Sequence, residues 1–255
     1  QLDVLKAAQI AHDEGIAIPI LLGRKDTISS LMKEIEFEAE VEIIDPKSDE
    51  ELERKNKYAE AYWMQKKRKG VTKYSAQKIM RERNYFAAMM VNEGDADALI
   101  SGYSASYPKV LKPMLELIGK AKGVTRVATT NIMMTQRGPM FLSDTAINID
   151  PSAEDLAKIA YMTSRVAKML GIEPIIAMTS YSNFGSSDNP DAKKVREAVD
   201  YLHKTYPNMV VDGEVQMDFA LNSKMLQDIF PFSRLAGRKV NTLIFPNLDS
   251  AKLNQ

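Results

Sequence analysis

Short apolar runs alternate with segments of helical period along nearly the whole chain, and this alternation limits the fold more than any other feature. AIPILLG (17–23), VEIID (41–45) and DALIS (97–101) read as buried strands, being short, rich in branched residues and bounded by turn formers. RVATTNIMM (126–134), FLSDTAIN (141–148), EPIIAMTS (173–180), MVVDGE (209–214) and KVNTLIFP (239–246) continue the series. Between most of them lie amphipathic stretches. After Asp150, read as N-cap with Pro151 opening the helix, Leu156, Ile159, Ala160, Thr163, Val166, Ala167 and Leu170 share one face. Strands separated by helices predict mainly parallel sheets covered on both faces.

Residues 49–93 depart from the rhythm. Two long helical patterns meet at KKRKGVT (66–72) with no strand between them. After GKAKGVT (119–125) the pattern changes again, and MTQRGPMF predicts a hairpin. The sequence therefore predicts two α/β domains, 1–123 and 124–255, divided near Gly123. Gln1 falls inside a helical pattern, and the last residues follow a strand with no complete helix after it. A piece of a longer chain is the expectation, with missing C-terminal residues completing the first domain.

Thirty-four basic and 34 acidic side chains cancel. Nothing in the charge calls for nucleic acid or an anionic membrane as partner. Cysteine is absent, which excludes disulfides and thiolate chemistry and fits a reducing, cytoplasmic setting. Two histidines on helical patterns give no metal-site spacing. The methionine-rich stretches MMV and IMM read as core.

The loop SYSNFGSSDNP (180–190) lies between a strand and a helix on which Val195, Ala198, Val199 and Leu202 form one face. Asn189 is the expected N-cap and Pro190 the first helical residue. A Ser/Gly loop before a helix N-terminus is an anion site by geometry, since unpaired N–H groups and the helix dipole both favour negative charge. Ser182, Asn183, Phe184, Gly185, Ser186 and Ser187 are its candidate ligand contacts. A polar connection whose serines only solvate backbone reads equally well from spacing, and Asp188 disfavours an anion. DGEVQMD (212–218) sets three carboxylates at a strand end, for a cation, a shared proton or a helix start, with Asp218 a candidate general base. The basic run at Lys66–Gly70 reads as a phosphate contact or a helix C-terminus.

In order, FAAMMVNEGDADALISG, FLSDTAINIDPSAEDLAKIA, IAMTSYSNFGSSD, VDGEVQMDFAL and AGRKVNTLIFPNLDSA resemble the phosphate acetyltransferase family across nearly the whole chain. SNFGSSD, where free-standing transferases more often carry STKG, is most similar to the acetyltransferase-like domain fused to bacterial NADP-dependent malic enzymes. The resemblance implies two αβα domains around a cleft, of the isocitrate/isopropylmalate dehydrogenase-like type. It further implies a dimer through this domain, with higher assembly in the full-length protein. The implied ligand is acetyl-CoA or CoA, a small-molecule CoA ester bound as substrate or effector. NADP and a divalent metal would belong only to the N-terminal part, which oxidises malate to pyruvate.

In transferases of the family an aspartate deprotonates the CoA thiol, while arginines and a serine stabilise phosphate and oxyanion. That serine and arginine lie in a Ser-Arg-Gly motif which these 255 residues do not contain. GYSASYPKVLKP (102–113), with Ser104 a candidate contact, reads from its small hydroxylated residues and two lysines as a second strand-to-helix loop, and the resemblance puts Lys66 and Lys112 where transferases hold arginines. Tyr107 and Pro108 replace small hydroxylated residues. Lysine keeps charge but lacks the bidentate fork that fits phosphate. The expectation is a regulatory and assembly domain without its own catalysis. An active phosphate acetyltransferase and a purely structural oligomerisation domain are the alternatives.

Overall fold

A computed structural model describes residues 2–103 and 105–253. Contacts between Cα atoms divide the chain into two compact units, residues 1–121 and 122–255.

The first unit is mostly helical around a parallel pair, β1 (Ile20–Leu22) and β2 (Glu42–Ile44). Because strand side chains alternate, Leu21 and Ile43 meet α1 (Leu2–Asp13) and α2 (Lys25–Glu34) on one face. Ile20, Leu22 and Ile44 face a larger core on the other. That core is built by α3 (Leu52–Lys66), α4 (Lys73–Ile79) and α5 (Arg83–Glu93), with Tyr58, Met80, Phe86, Met89 and Met90 at its centre. The second helical pattern is interrupted at Met80–Glu82, where α4 ends and α5 begins.

DALIS forms no strand. Only Leu99 of this run packs on the core, while Ile100 is 98% exposed, so the segment offers no apolar face for a ladder. The chain continues into α6 (Tyr107–Pro113) and, directly after Pro113, a π turn over Met114–Ile118.

The second unit holds a five-stranded sheet in the order β3-β4-β7-β5-β6. β3 (Thr130–Thr135) and β4 (Gly138–Ser143) form the expected hairpin around Gln136 and Arg137. β4, β7 (Thr242–Ile244), β5 (Ile176–Thr179) and β6 (Val211–Val215) run parallel. Ile176, Met178, Val211 and Ile244 pack against α7 (Ala153–Met169) and α8 (Pro190–Thr205). Ala177, Val215 and Leu243 meet the opposite layer, made by α9 (Met217–Leu221), α10 (Ser223–Ile229) and α11 (Leu248–Leu253). Truncating one of these fully buried side chains to alanine costs ~2–5 kcal/mol.

Three local expectations are corrected. FLSDTAIN leaves the sheet after Ser143, because the Asp144 carboxylate accepts the N–H groups of Ala146, Ile147 and Asn148 and turns the chain away. Helix α7 is capped by Ser152 rather than Asp150: Ser152 and Asp155 form a reciprocal capping box, while Asp150 pairs with Lys194. MMV is core at Met89 and Met90, but IMM is not. Ile132, Met133 and Met134 lie on the edge strand β3, 45%, 42% and 81% exposed.

Candidate functional site

All four parallel strands of the second unit end on one edge of the sheet, the edge where open α/β sheets bind ligands. The loop 180–189 rises there from β5, and α8 begins with Asn189 as N-cap and Pro190 as its first residue. β6 carries a bulge beside it. Met178 opposes Gly213 and Thr179 opposes Val215, which leaves Glu214 as the extra residue, aimed at the loop. Gly213 makes the bulge possible, since a Cβ there would lie 2.5 Å from the Met178 carbonyl oxygen.

Glu214 has no solvent exposure and organises the loop around itself. Its Oε1 accepts from Ser182 Oγ (2.9 Å), the Gly185 N–H (2.8 Å) and Arg196 Nη2 (2.9 Å). Its Oε2 accepts from Arg196 Nε (3.2 Å), and its backbone carbonyl from the Phe184 N–H (2.8 Å). Phe184 and Gly185 sit at positive φ, 44° and 94°, which turns the Gly185 N–H inward. Burial pushes the Glu214 carboxyl upward, but bonds from Arg196, Gly185 and Ser182 outweigh it and hold the group below the ordinary value of 4.5.

Further bonds are made within the loop. Ser182 Oγ accepts the Ser187 N–H and lies 3.0 Å from Ser186 Oγ, which accepts the Asn183 N–H. Asn183 Oδ1 accepts the Gln216 N–H (2.7 Å). Phe184 packs between Phe230 and Phe232. The loop is thus an anion cradle whose anion is a side chain of the protein itself.

The carboxylates of DGEVQMD do not converge. Asp212 accepts from Ser233 Oγ (2.9 Å) and the Arg234 N–H (2.8 Å), Glu214 serves the loop, and Asp218 lies exposed on α9. Strand alternation and the bulge separate the three side chains. Among the described residues no three acidic or histidine side chains are grouped to hold a metal.

In the first unit the basic run is the end of α3, closed by Gly70 in the left-handed conformation. Lys66 Nζ donates to the Glu116 carbonyl (2.6 Å), and Lys112 is exposed one turn before Glu116. Tyr62 and Tyr85 hydroxyls donate to the two Glu116 carboxylate oxygens at 2.7 and 2.8 Å. Burial raises Glu116, yet the two tyrosines and the Lys66 and Lys112 cations outweigh it and lower the carboxyl below its ordinary value. Burial and the same bonds raise both phenols. The π turn, which brings Glu116 back over α3 and α5, follows directly from Pro113 inside the helix. Ser104 lies outside the described residues.

Periodicity missed Glu116, Tyr62, Tyr85 and Arg196, because each lies on a helix face where charged or aromatic residues are ordinary. Glu214 was visible as a carboxylate, but its role depends on the bulge.

Comparison with known proteins decides the family. The family described as phosphate acetyl/butaryl transferase matches residues 1–254. The chain belongs to that family. Among its relatives, a phosphate acetyltransferase of Thermoanaerobacterium thermosaccharolyticum is 36% identical over 98% of this chain and 76% of its own length. An NAD-dependent malic enzyme of Rhizobium meliloti is 35% identical, and an NADP-dependent malic enzyme of Escherichia coli 34%. Both matches cover 98% of this chain, which spans about a third (33%) of each malic enzyme. A phosphotransacetylase structure from Streptococcus pyogenes superposes with a TM-score of 0.83 at 33% identity, covering 100% of this chain and 77% of that one. The phosphate acetyl/butaryl transferase domain thus occurs both in free-standing transferases and within malic enzymes.

Proposed function

We propose that this chain is the CoA-ester-binding regulatory and assembly domain of an NADP-dependent malic enzyme, without transferase chemistry of its own. One observation carries the reading: the Ser182 hydroxyl, the Gly185 N–H and one N–H of Lys66 already serve acceptors of the protein itself. Lys66, where transferases hold arginine, gives a proton donor to the Glu116 carbonyl and cannot offer a planar fork. The Ser182 hydroxyl and Gly185 N–H are given to Glu214. Preorganised donors free to meet developing charge are what acyl and phosphoryl transfer require. Lys66 and Lys112 still fit a phosphate as point charges, so a CoA ester with its several phosphates is held through them.

Acetyl-CoA bound preferentially to one state of the full-length protein then shifts the equilibrium that the malate-oxidising part responds to. By linkage, saturation at 100 times the dissociation constant stabilises this domain by about 2.7 kcal/mol. The test is a thermal melt with and without acetyl-CoA: a ligand-dependent rise supports the reading, and an unchanged melt at saturation overturns it.

The relatives favour one second reading, an active phosphate acetyltransferase, because one of that activity matches as closely as the malic enzymes do. Formation of acetyl-CoA from acetyl phosphate and CoA by the full-length protein, at a rate far above background, would establish it in place of the first.

A further inference from the structure

Between Ala61 and Arg81 the chain carries seven cations and no acid, although basic and acidic side chains balance over the whole sequence. The segment spans the end of α3, the turn Lys67–Lys69 and helix α4. Two neighbouring rows of α3 divide these cations. Tyr62 and Lys66 face Glu116. Trp63 and Lys67 lie one position further round and meet α4. The Lys67 ammonium stands 5.2 Å from the centre of the Trp63 ring, and Lys73 of α4 stands 4.4 Å from the same ring.

Helix chemistry accounts for part of this charge. Lys67, Arg68 and Lys69 follow the C-terminus of α3, where the helix dipole favours cations. Lys73 is the first residue of α4, where the dipole disfavours one. The Trp63 ring and the Glu60 carboxylate, 3.2 Å away, hold it there. Arg68, Lys69, Lys78 and Arg81 are exposed and form no ion pair among the described residues. Met64 and Tyr74, 53% and 74% exposed, border the cations.

We infer that this α3–α4 corner docks an acidic segment of a partner protein, a run of aspartate and glutamate side chains. Charge complementarity selects a polyanion, and the surroundings select its class. Single-stranded nucleic acid stacks its bases on free aromatic faces, whereas two lysines lie over Trp63. An anionic bilayer is entered by an exposed apolar helix face, whereas α3 and α4 bury theirs through Tyr58, Tyr62 and Ala76. Arginine, methionine and tyrosine beside one another are what protein interfaces favour. The surface goes beyond the function proposed above and uses neither Lys66 nor Lys112.

Trp63 is the chain's one tryptophan, so its fluorescence reports on the patch directly. Titration of a deca-glutamate peptide at low ionic strength should change that emission saturably, as carboxylates draw Lys67 and Lys73 off the ring. Affinity should fall as salt rises. It should fall by about tenfold or more in the double variant Arg68→Glu/Lys69→Glu, and Lys78→Glu repeats the test from α4. Circular dichroism checks that the variants keep their fold, and isothermal titration ranks affinities independently of Trp63.

A wild type that binds no peptide overturns the inference, and so does equal affinity in the variants. Tighter binding of an oligothymidylate of equal charge, or of phosphatidylserine vesicles, overturns it in favour of another class of partner. Competition with acetyl-CoA separates this surface from the ligand proposal. Simultaneous binding supports both, and displacement of the peptide assigns the cations to the ligand site and overturns the docking surface. A wild type that binds the peptide but not acetyl-CoA supports the surface alone.

Discussion

Two glutamates organise polar clusters in this chain, and their difference explains what each cluster can do. Glu214 in the second unit is wholly buried and is met by a guanidinium, a hydroxyl and a backbone N–H. A charge taken that far from water requires every one of those partners, so the loop 180–189 is fixed rather than available. Glu116 in the first unit is half-buried and is met by two phenols, with Lys66 on its carbonyl and Lys112 nearby in solvent. Its tyrosines carry no charge, so the one Glu116 carboxylate faces two lysine cations and leaves net positive charge at the surface, where an anion can reach it. The first cluster is a lock; the second can be a contact.

The largest effect is expected from Glu214→Ala, which removes the ion-pair partner of Arg196 and leaves the Gly185 N–H and the Ser182 hydroxyl without their acceptor. A loss of about 3 kcal/mol or more is expected in urea unfolding, against less than half of that for Glu116→Ala. Equal losses would erase the distinction between lock and contact.

Acid should act through the same groups. Both carboxyls titrate below their ordinary value of 4.5, so the stability they contribute is fully present above that pH. It is lost as pH falls through the folded-state values. Stability should be level above about pH 5 and decline below it, and Glu214→Gln should flatten the decline. An unchanged acid limb in that variant would show that other carboxylates, such as Asp144 with its several N–H donors, dominate.

Smaller effects sharpen the picture. Arg196→Lys keeps the charge but loses the two-pronged contact to Glu214 and the bond to the Ser187 carbonyl, at a cost of about 1–2 kcal/mol. Tyr62→Phe removes one hydrogen bond to Glu116 and costs ~1 kcal/mol. It should raise the Glu116 carboxyl towards its ordinary range, visible in side-chain NMR titration.

Sequence periodicity carried much of the architecture. The apolar runs at Ile20–Leu22, Glu42–Ile44, Ile176–Thr179 and Val211–Val215 are strands because β-branched and apolar residues there can be buried on both faces. The hairpin and the Asn189–Pro190 start of α8 follow from local chemistry, which sequence displays directly. DALIS failed because a strand needs a partner, and apolarity alone does not supply one. IMM failed for a related reason, since an edge position exposes residues whose composition suggests a core.

The site was less legible. SNFGSSD displayed its donors, but nothing local shows that Glu214, some thirty residues away, would use them. That depends on a one-residue bulge opposite Met178 and Thr179. Family resemblance named Lys66 and Lys112 as candidates, whereas Glu116 beside them became visible only when the turn after Pro113 brought it onto α3 and α5.

The central claim is that the lysine cluster of the first unit holds a CoA ester while the loop of the second unit stays locked. Isothermal titration of acetyl-CoA into the wild type, Lys66→Ala and Lys112→Ala tests it most directly. Saturable binding should weaken by about tenfold in each lysine variant, with little change in the ligand-free melting temperature of Lys112→Ala and a fall in that of Lys66→Ala, which loses its bond to the Glu116 carbonyl. No binding to the wild type, or equal affinity in all three proteins, would contradict the account.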